Sequence, residues 1–255
     1  MVEEERQDCV YVITTPDKPF GASDSKDEMY DADEVVANLE DSDIDSNHCI
    51  TYYPWMKYFD SDNSEYIYLP ITRDVTRSIA MTDNQAFSWY GAAGVSRGLL
   101  SGDSPKRKLK LSEQDTLYDG RINYIASFAG EDFGGENPTD RIWGDKNLQI
   151  ADNHLNRLST RRLLLRIKKM LQTACIGLVF DPNDNNCTKA VRSAAGTVLD
   201  YVKENRGITA WKIEIDDSPS TTDQLGRGVK YFVRKTNLLE WISFESILTP
   251  SGMEW

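Results

Sequence analysis

Short β-branched, apolar runs alternate with amphipathic stretches of helical spacing along most of this chain, and that order leaves few folds open. Cys9–Thr14 (CVYVIT) reads as a buried strand ended by Thr15–Pro16. Asp31–Leu39 opens with a capping aspartate, carries acid in its first turn, and reads as a helix. Cys49–Tyr53 is a second strand stopped by Pro54–Trp55, and Glu65–Leu69 a third after the turn-rich DSDNS. Ile71–Ala80 has helical spacing, with Pro70 just ahead of its first turn. Glycines at 91, 94, 98 and 102 make Ser88–Ser104 an ordered loop or a set of turns.

The second half continues the alternation. Lys106–Leu111 (KRKLKL) alternates basic and apolar residues, as a half-exposed strand does. Ser112 with Asp115 resembles a capping box opening a short helix, Glu113–Asp119. Asn123–Phe128 and Asp140–Gly144 are predicted strands on either side of GEDFGGENPT. The spacing predicts a long helix over Asn153–Cys175, a strand at Ile176–Phe180, and a helix over Thr188–Lys203 after the turn DPNDNN. Ala210–Asp216, Val229–Lys235 and Glu240–Leu248 are the last predicted strands. The expected class is α/β: a mixed sheet flanked by helices, with antiparallel strands at the C-terminal end.

Length and charge narrow the function. At 255 residues the chain is long enough for a large core, and its longest apolar stretch, around Ala174–Phe180, is far short of a membrane span. The opening MVEEERQDCV is acidic where a signal peptide is basic, so no secretory segment is expected. Residues 1–68 hold 18 Asp and Glu against 4 Lys and Arg, while the remainder is close to balanced. A net charge of -12 argues against a nucleic-acid binder, whose affinity comes from cations displacing counterions around phosphates. Cys9, Cys49, Cys175 and Cys187 show no CxxC spacing and sit in or beside apolar runs, the pattern of buried free thiols.

Three chemical signatures are formally present or nearly so. Gly94-Val95-Ser96-Arg97-Gly98 matches GxSxG, which would make Ser96 a nucleophile, but neither a good parallel strand before it nor a good helix after it is evident. Asp60–Glu65 and Asp181–Asn186 place oxygen ligands at alternate positions, yet both lack the glycine and the glutamate that an EF-hand loop requires. Two histidines offer little for a transition metal, and neither GxxxxGK[ST] nor GxGxxG occurs. No catalytic, metal or cofactor site is expected.

The most informative segment is the helix around 157–175. It carries Arg157, Arg161, Arg162, Arg166, Lys168 and Lys169, with no acid between Asp152 and Asp181. Leu163, Ile167, Met170 and Ala174 recur at helical spacing, so one face is core, while Arg162, Arg166 and Lys169 line another. A solvated basic face accounts for this pattern. So does a partner of opposite sign, an acidic protein surface rather than a membrane.

Several ordered motifs together resemble the contractile-tail sheath proteins of myophages. SIAMTDNQAFSWYGAAGVSRG (78–98) resembles that family's Ala-rich helix, Thr-Asp pair, tryptophan and Gly-rich loop. LSEQDTLYDGRINYI (111–125) is similar to its next helix and strand, and RIWGDKNL (141–148) to its Trp-Gly motif, with Asn147 where threonine is usual. NRLSTRRLLLRIKKML (156–171) and LVFDPN (178–183) resemble its Arg-rich helix and the turn beyond, and RQDCVYVITTP its core-entering strand. The match runs over about 6–248 in order.

The resemblance implies a structural subunit rather than an enzyme. It implies a sheath of homo-oligomeric rings around a tail tube, joined to a baseplate, that contracts to drive the tube through a host envelope. The implied location is the virion tail, assembled in the host cytoplasm, with no nucleic acid, membrane insertion or cofactor. A sheath-like or baseplate component of a bacterial contractile injection system is the alternative. Residues 1–228 would form the core domain and 229–255 the C-terminal strands and arm. Arg157, Arg161, Arg162, Arg166, Lys168 and Lys169 become candidates for facing the tube. Tyr231, Val233, Trp241, Ile242, Phe244 and Ile247 become candidates for strands exchanged between subunits, as an alternative to a terminal hairpin completing its own domain. Phage sheaths usually carry hundreds of residues before this core, so the chain is expected to be a fragment or a reduced paralogue.

Overall fold

A computed structural model describes residues 6–18, 29–128, 139–216, 228–238 and 240. Its centre is a mixed four-stranded sheet in the order β1-β2-β6-β7, formed by Tyr11–Thr14, Cys49–Tyr53, Asn123–Phe128 and Thr139–Trp143. β1, β2 and β6 run parallel and β7 is antiparallel to β6. Alternation along β2 sends its side chains to two different cores. Ile50 and Tyr52 join Ile125 and Ile142 on one face, whereas Tyr53 joins Ile122 and Leu117 on the other.

That second face is covered by α1 (Ala32–Asp41) and α3 (Leu111–Asp119), which bring Val35, Leu39 and Leu117 onto it. α1 starts where a capping aspartate is expected. The Asp31 carboxylate accepts from the Glu34 amide and the Glu34 carboxylate accepts from the Asp31 amide, both at 2.9 Å. α3 begins earlier than Ser112 would have it. Glu113 accepts from the Lys110 amide at 2.7 Å, so the reciprocal carboxylate is Glu113 and not Asp115.

The first face carries α2 (Thr72–Gln85) and a small antiparallel sheet in the order β4-β3-β5, from Glu65–Leu69, Met56–Asp60 and Ser104–Pro105. Asp74 of α2 is wholly buried and ties these parts together. It accepts from Tyr58 Oη of β3 at 2.9 Å, from the Ser101 amide at 3.0 Å, and from the Ser101 hydroxyl. A buried carboxylate is tolerated where such donors replace water.

The remaining third of the chain is a helical hairpin closed by a ribbon. α4 (Leu158–Cys175) and α5 (Asn185–Glu204) pack together, and β8 (Ile208–Ile215) pairs with β9 (Val229–Lys235) across them. Leu163, Ile167, Leu199 and Val202 are completely buried between these elements, each contributing about 1.5–3 kcal/mol relative to exposure. Trp211, Ile213, Tyr231 and Val233 form the inner face of the ribbon, with Trp89 from the Gly-rich loop at its end.

Two predicted strands are not strands. Ile176–Leu178 is a 3-10 turn continuing α4, and Phe180 has φ +77°, so the run turns back into α5 instead of joining a sheet. An apolar run this short carries no period of its own to tell a strand from a turn. Lys106–Leu111 is irregular up to the start of α3 because its cations have individual partners. Lys106 Nζ donates to Asp17 at 2.6 Å with both side chains buried, and Arg107 donates to Glu113 at 2.5 Å and to the Tyr30 carbonyl at 3.2 Å. GEDFGGENPT lies almost wholly, and Glu240–Leu248 beyond Glu240, outside the described residues. None of the four cysteines forms a disulfide, and all are half-buried rather than buried.

Candidate functional site

Residues from three of the segments that carry the family resemblance, Asn123, Gly144–Asn147 and Ser159, meet at one knot between β2, β6, β7 and the start of α4. Gly144 follows β7 with φ +107°, and a Cβ there would lie 2.4 Å from Asn123 Oδ1. That close approach lets the Asn123 amide join three segments. Its Nδ2 donates to the Thr51 carbonyl at 3.1 Å and to the Lys146 carbonyl at 2.7 Å, and its Oδ1 accepts from the Lys146 amide at 2.9 Å. Asp145, next in sequence, turns into the N-terminus of α4. Its carboxylate accepts from the Ser159 hydroxyl at 2.5 Å and the Ser159 amide at 3.3 Å, satisfying donors that a helix end leaves open. Asn147 completes the knot by donating to the Leu155 carbonyl at 2.5 Å and the Asn47 carbonyl at 3.2 Å.

The knot is buried and charged. Burial pushes the Asp145 carboxyl up, against the hydrogen bonds from Ser159. Burial also pulls the Lys235 ammonium down. Lys235, at the end of β9, donates to Ser159 Oγ at 2.7 Å and Thr160 Oγ1 at 2.6 Å. The ribbon is thus fastened to the same helix end that Asp145 caps. Lys146 reaches the other way, donating to the Tyr118 carbonyl at 2.6 Å with its ammonium 3.6 Å from the centre of the Tyr118 ring.

The six cations of α4 and its cap do not form one surface. Arg162 is buried at 6% exposure, ion-paired with Asp83 of α2, and its Nη1 donates to the Tyr90 carbonyl at 3.4 Å. Burial lowers its pKa and Asp83 opposes that shift. This corrects the expected stripe of Arg162, Arg166 and Lys169, whose first member belongs to the core. Arg157 is partly buried against Glu240 in a two-pronged contact of 2.6 and 3.0 Å. Arg161 donates to His48 Nε2, whose Nδ1 bonds the Cys9 carbonyl at 2.7 Å, so it joins α4 to the start of β1. Arg166, Lys168 and Lys169 are exposed. The tip just beyond them adds three exposed apolar residues, Ile176, Val179 and Phe180. Sequence reading missed that tip because it assigned those residues to a strand.

Of the strand candidates, Tyr231 and Val233 lie on β9 and pack inward on α4 and α5 of their own chain. Trp241, Ile242, Phe244 and Ile247 lie outside the described residues. The last described residue, Glu240, is held by Arg157 and by Tyr118 Oη at 2.7 Å, and the Arg157 contact keeps its carboxyl below the usual range.

The glycines around Ser96 have a backbone role. The Gly94 amide donates to the Ile142 carbonyl at 2.9 Å, and the Ile142 amide donates to the Gly98 carbonyl at 2.9 Å, stitching the loop to β7. A Cβ on Gly98 would lie 2.6 Å from the Ile142 oxygen. Ser96 is exposed, and among the described hydrogen bonds none joins it to a histidine or a carboxylate. The two acidic loops are likewise explained by turns. Asp60 accepts from the Asp62 amide and Asn63 side chain in the β3–β4 turn, and Asp184 caps α5 through the Asn186 and Cys187 amides. Among the described residues no group of acids, histidines and cysteines could hold a metal.

No protein-family model matches the chain. A tail sheath protein of Vibrio phage KVP40 is 20% identical over 98% of this chain and 38% of its own length. The sheath complex of an extracellular contractile injection system, PVC, in its contracted state, superposes with a TM-score of 0.70 at 22% identity, covering 83% of this chain and 60% of that one. The helical sheath of the anti-feeding prophage in its contracted state gives 0.68 at 16% identity, covering 93% and 69%. A chain of the anti-feeding prophage baseplate gives 0.69 at 18%, covering 80% and 56%. The chain therefore spans about two fifths of the phage relative and somewhat over half of two of these three structures. In sequence, across nearly its whole length, it is similar to a phage tail sheath protein, and in fold it is similar to chains of contractile injection systems.

Proposed function

We propose that this chain is the core part of a contractile sheath subunit, a non-enzymatic component that surrounds a tail tube and changes packing to drive it. The observation that carries the reading is the continuous similarity to a phage tail sheath protein over 98% of the chain, in a fold shared with contracted sheaths. The knot around Asn123, Gly144 and Asp145 supports it physically, since three of the resembling motifs are spent on bracing the central sheet against the start of α4. A subunit that transmits force between neighbours needs such a body more than it needs a reactive group. Its partners would be further sheath subunits, a tube protein and a baseplate, in a virion tail assembled in the host cytoplasm. The same core would serve in an injection system, the class of the three solved structures.

Tube contact falls to the exposed cations of α4. Arg166, Lys168 and Lys169 present positive charge beside the apolar tip of Ile176, Val179 and Phe180, a combination suited to an acidic protein surface with apolar patches. Reversing the three cations to glutamate should abolish tube-templated assembly at low salt, where surface charge acts furthest, while circular dichroism stays unchanged. Assembly that survives the triple reversal would remove this helix from the tube contact.

A further inference from the structure

We infer that Glu240, Arg157 and Tyr118 form a clasp that holds the strap after β9 on the domain and so sets where the following segment leaves it. This rests on the sheath reading only in giving that segment a partner. The described residues of the strap, 236–238 and Glu240, are fixed at intervals. The Thr236 amide donates to the Gly207 carbonyl at 3.1 Å. Leu238 lies against Gly91, where a Cβ would come within 3.1 Å of its Cδ1. Glu240 then closes on the domain with three donors, Arg157 Nε at 2.6 Å, Arg157 Nη2 at 3.0 Å and Tyr118 Oη at 2.7 Å.

The parts of the clasp come from distant places in the sequence. Tyr118 lies in the last turn of α3, Arg157 stands just before the first residue of α4, and Glu240 follows β9, so the contact joins these two helices to the exit point. Arg157 is itself oriented, since its Nη1 donates to Asn156 Oδ1 at 3.0 Å. A planar guanidinium gripping a carboxylate by two parallel bonds fixes direction as well as distance. The clasp also sits where three clefts meet. Glu240 lines one with Tyr118 and Gly91, and another with His154 and Lys235, while Arg157 and Tyr118 line a third.

Hydrogen–deuterium exchange of the full chain, at a concentration where it is monomeric, tests the clasp. The variants are Glu240→Arg, Arg157→Glu and the two together. Each single variant should speed exchange at 236–238 on the order of tenfold, with α4, β8 and β9 unchanged, and the reversed pair should restore protection. Unchanged exchange in the single variants would overturn the inference. So would loosening of β8, β9 and α4 together with the strap, which would make the pair a general element of the fold. Because the measurement is made on monomer, failure of the sheath reading would show separately, as wild-type chain that does not assemble.

Discussion

Gly144→Ala is the substitution the knot should tolerate least. Two costs add. Holding an alanine at φ +107° costs about 1–3 kcal/mol, because the Cβ meets its own backbone. The same Cβ would sit 2.4 Å from Asn123 Oδ1 and 3.1 Å from its Cβ, so the asparagine must move. Asn123 is completely buried, and its amide makes bonds of 2.7, 2.9 and 3.1 Å to Lys146 and Thr51. Weakening two of these and leaving one buried group unpaired costs about another 2–3 kcal/mol. The sum, about 3–6 kcal/mol, is a large part of the stability of an ordinary domain. Urea unfolding followed by circular dichroism reads it as a lower midpoint at constant slope. Two other glycines calibrate the argument. Gly94 has φ +92° and open space around its absent Cβ, so Gly94→Ala should cost only the strain, about 1–2 kcal/mol. Gly177 has open space and an ordinary φ, so Gly177→Ala should be neutral or stabilising by up to about 1 kcal/mol. A loss below about 1 kcal/mol at Gly144, or a larger loss at Gly177, would refute the reasoning.

Arg162→Ala empties a buried site, while Asp83 is exposed enough to stay solvated without its partner, so it should cost about 1–3 kcal/mol in the same assay. Arg166→Ala, one turn further along and exposed, should change stability by no more than about 0.5 kcal/mol. The Glu240 carboxyl is held below its ordinary 4.5 chiefly by Arg157, so its contribution is present above that pH and is lost as pH falls through the folded value. Glu240→Gln should therefore flatten the acid limb of stability measured from pH 6 to pH 3; an unaltered limb would contradict the clasp's ion pairing. Asp145 has the opposite sign, since burial raises its carboxyl and the folded chain takes up that proton first. Its site gains stability as pH falls, so Asp145→Asn should steepen the acid limb where Glu240→Gln flattens it.

Much of this fold is legible because local pattern and tertiary demand agree. β2, β4 and β9 run over the residues their alternation predicts, and α1 starts at the aspartate that caps it. Where reading fails, a distant partner decides. The Asn153 start expected for α4 moves to Leu158, since the group that satisfies its first turn is Asp145, from the segment after β7. β3 hides behind Pro54–Trp55, which reads as a stop. There the chain turns a corner, with Trp55 Nε1 donating to the Thr15 carbonyl at 2.9 Å, and re-enters as a strand of the second sheet. The same limit governs the site. Helical periodicity placed Arg162 on a face with Arg166 and Lys169, but depth depends on α2 packing over it, and Asp83 is 79 residues away in sequence. The clasp at Glu240 joins residues 83 and 122 apart, with no local signature at all.

The central claim is assembly, and negative-stain electron microscopy of the full-length gene product tests it most directly. The account predicts rings or tubes with a helical surface lattice, lost when Arg166, Lys168 and Lys169 are reversed if a tube is the template. A folded protein that stays monomeric at every concentration and salt, with and without the tube protein of its own genome, would contradict it.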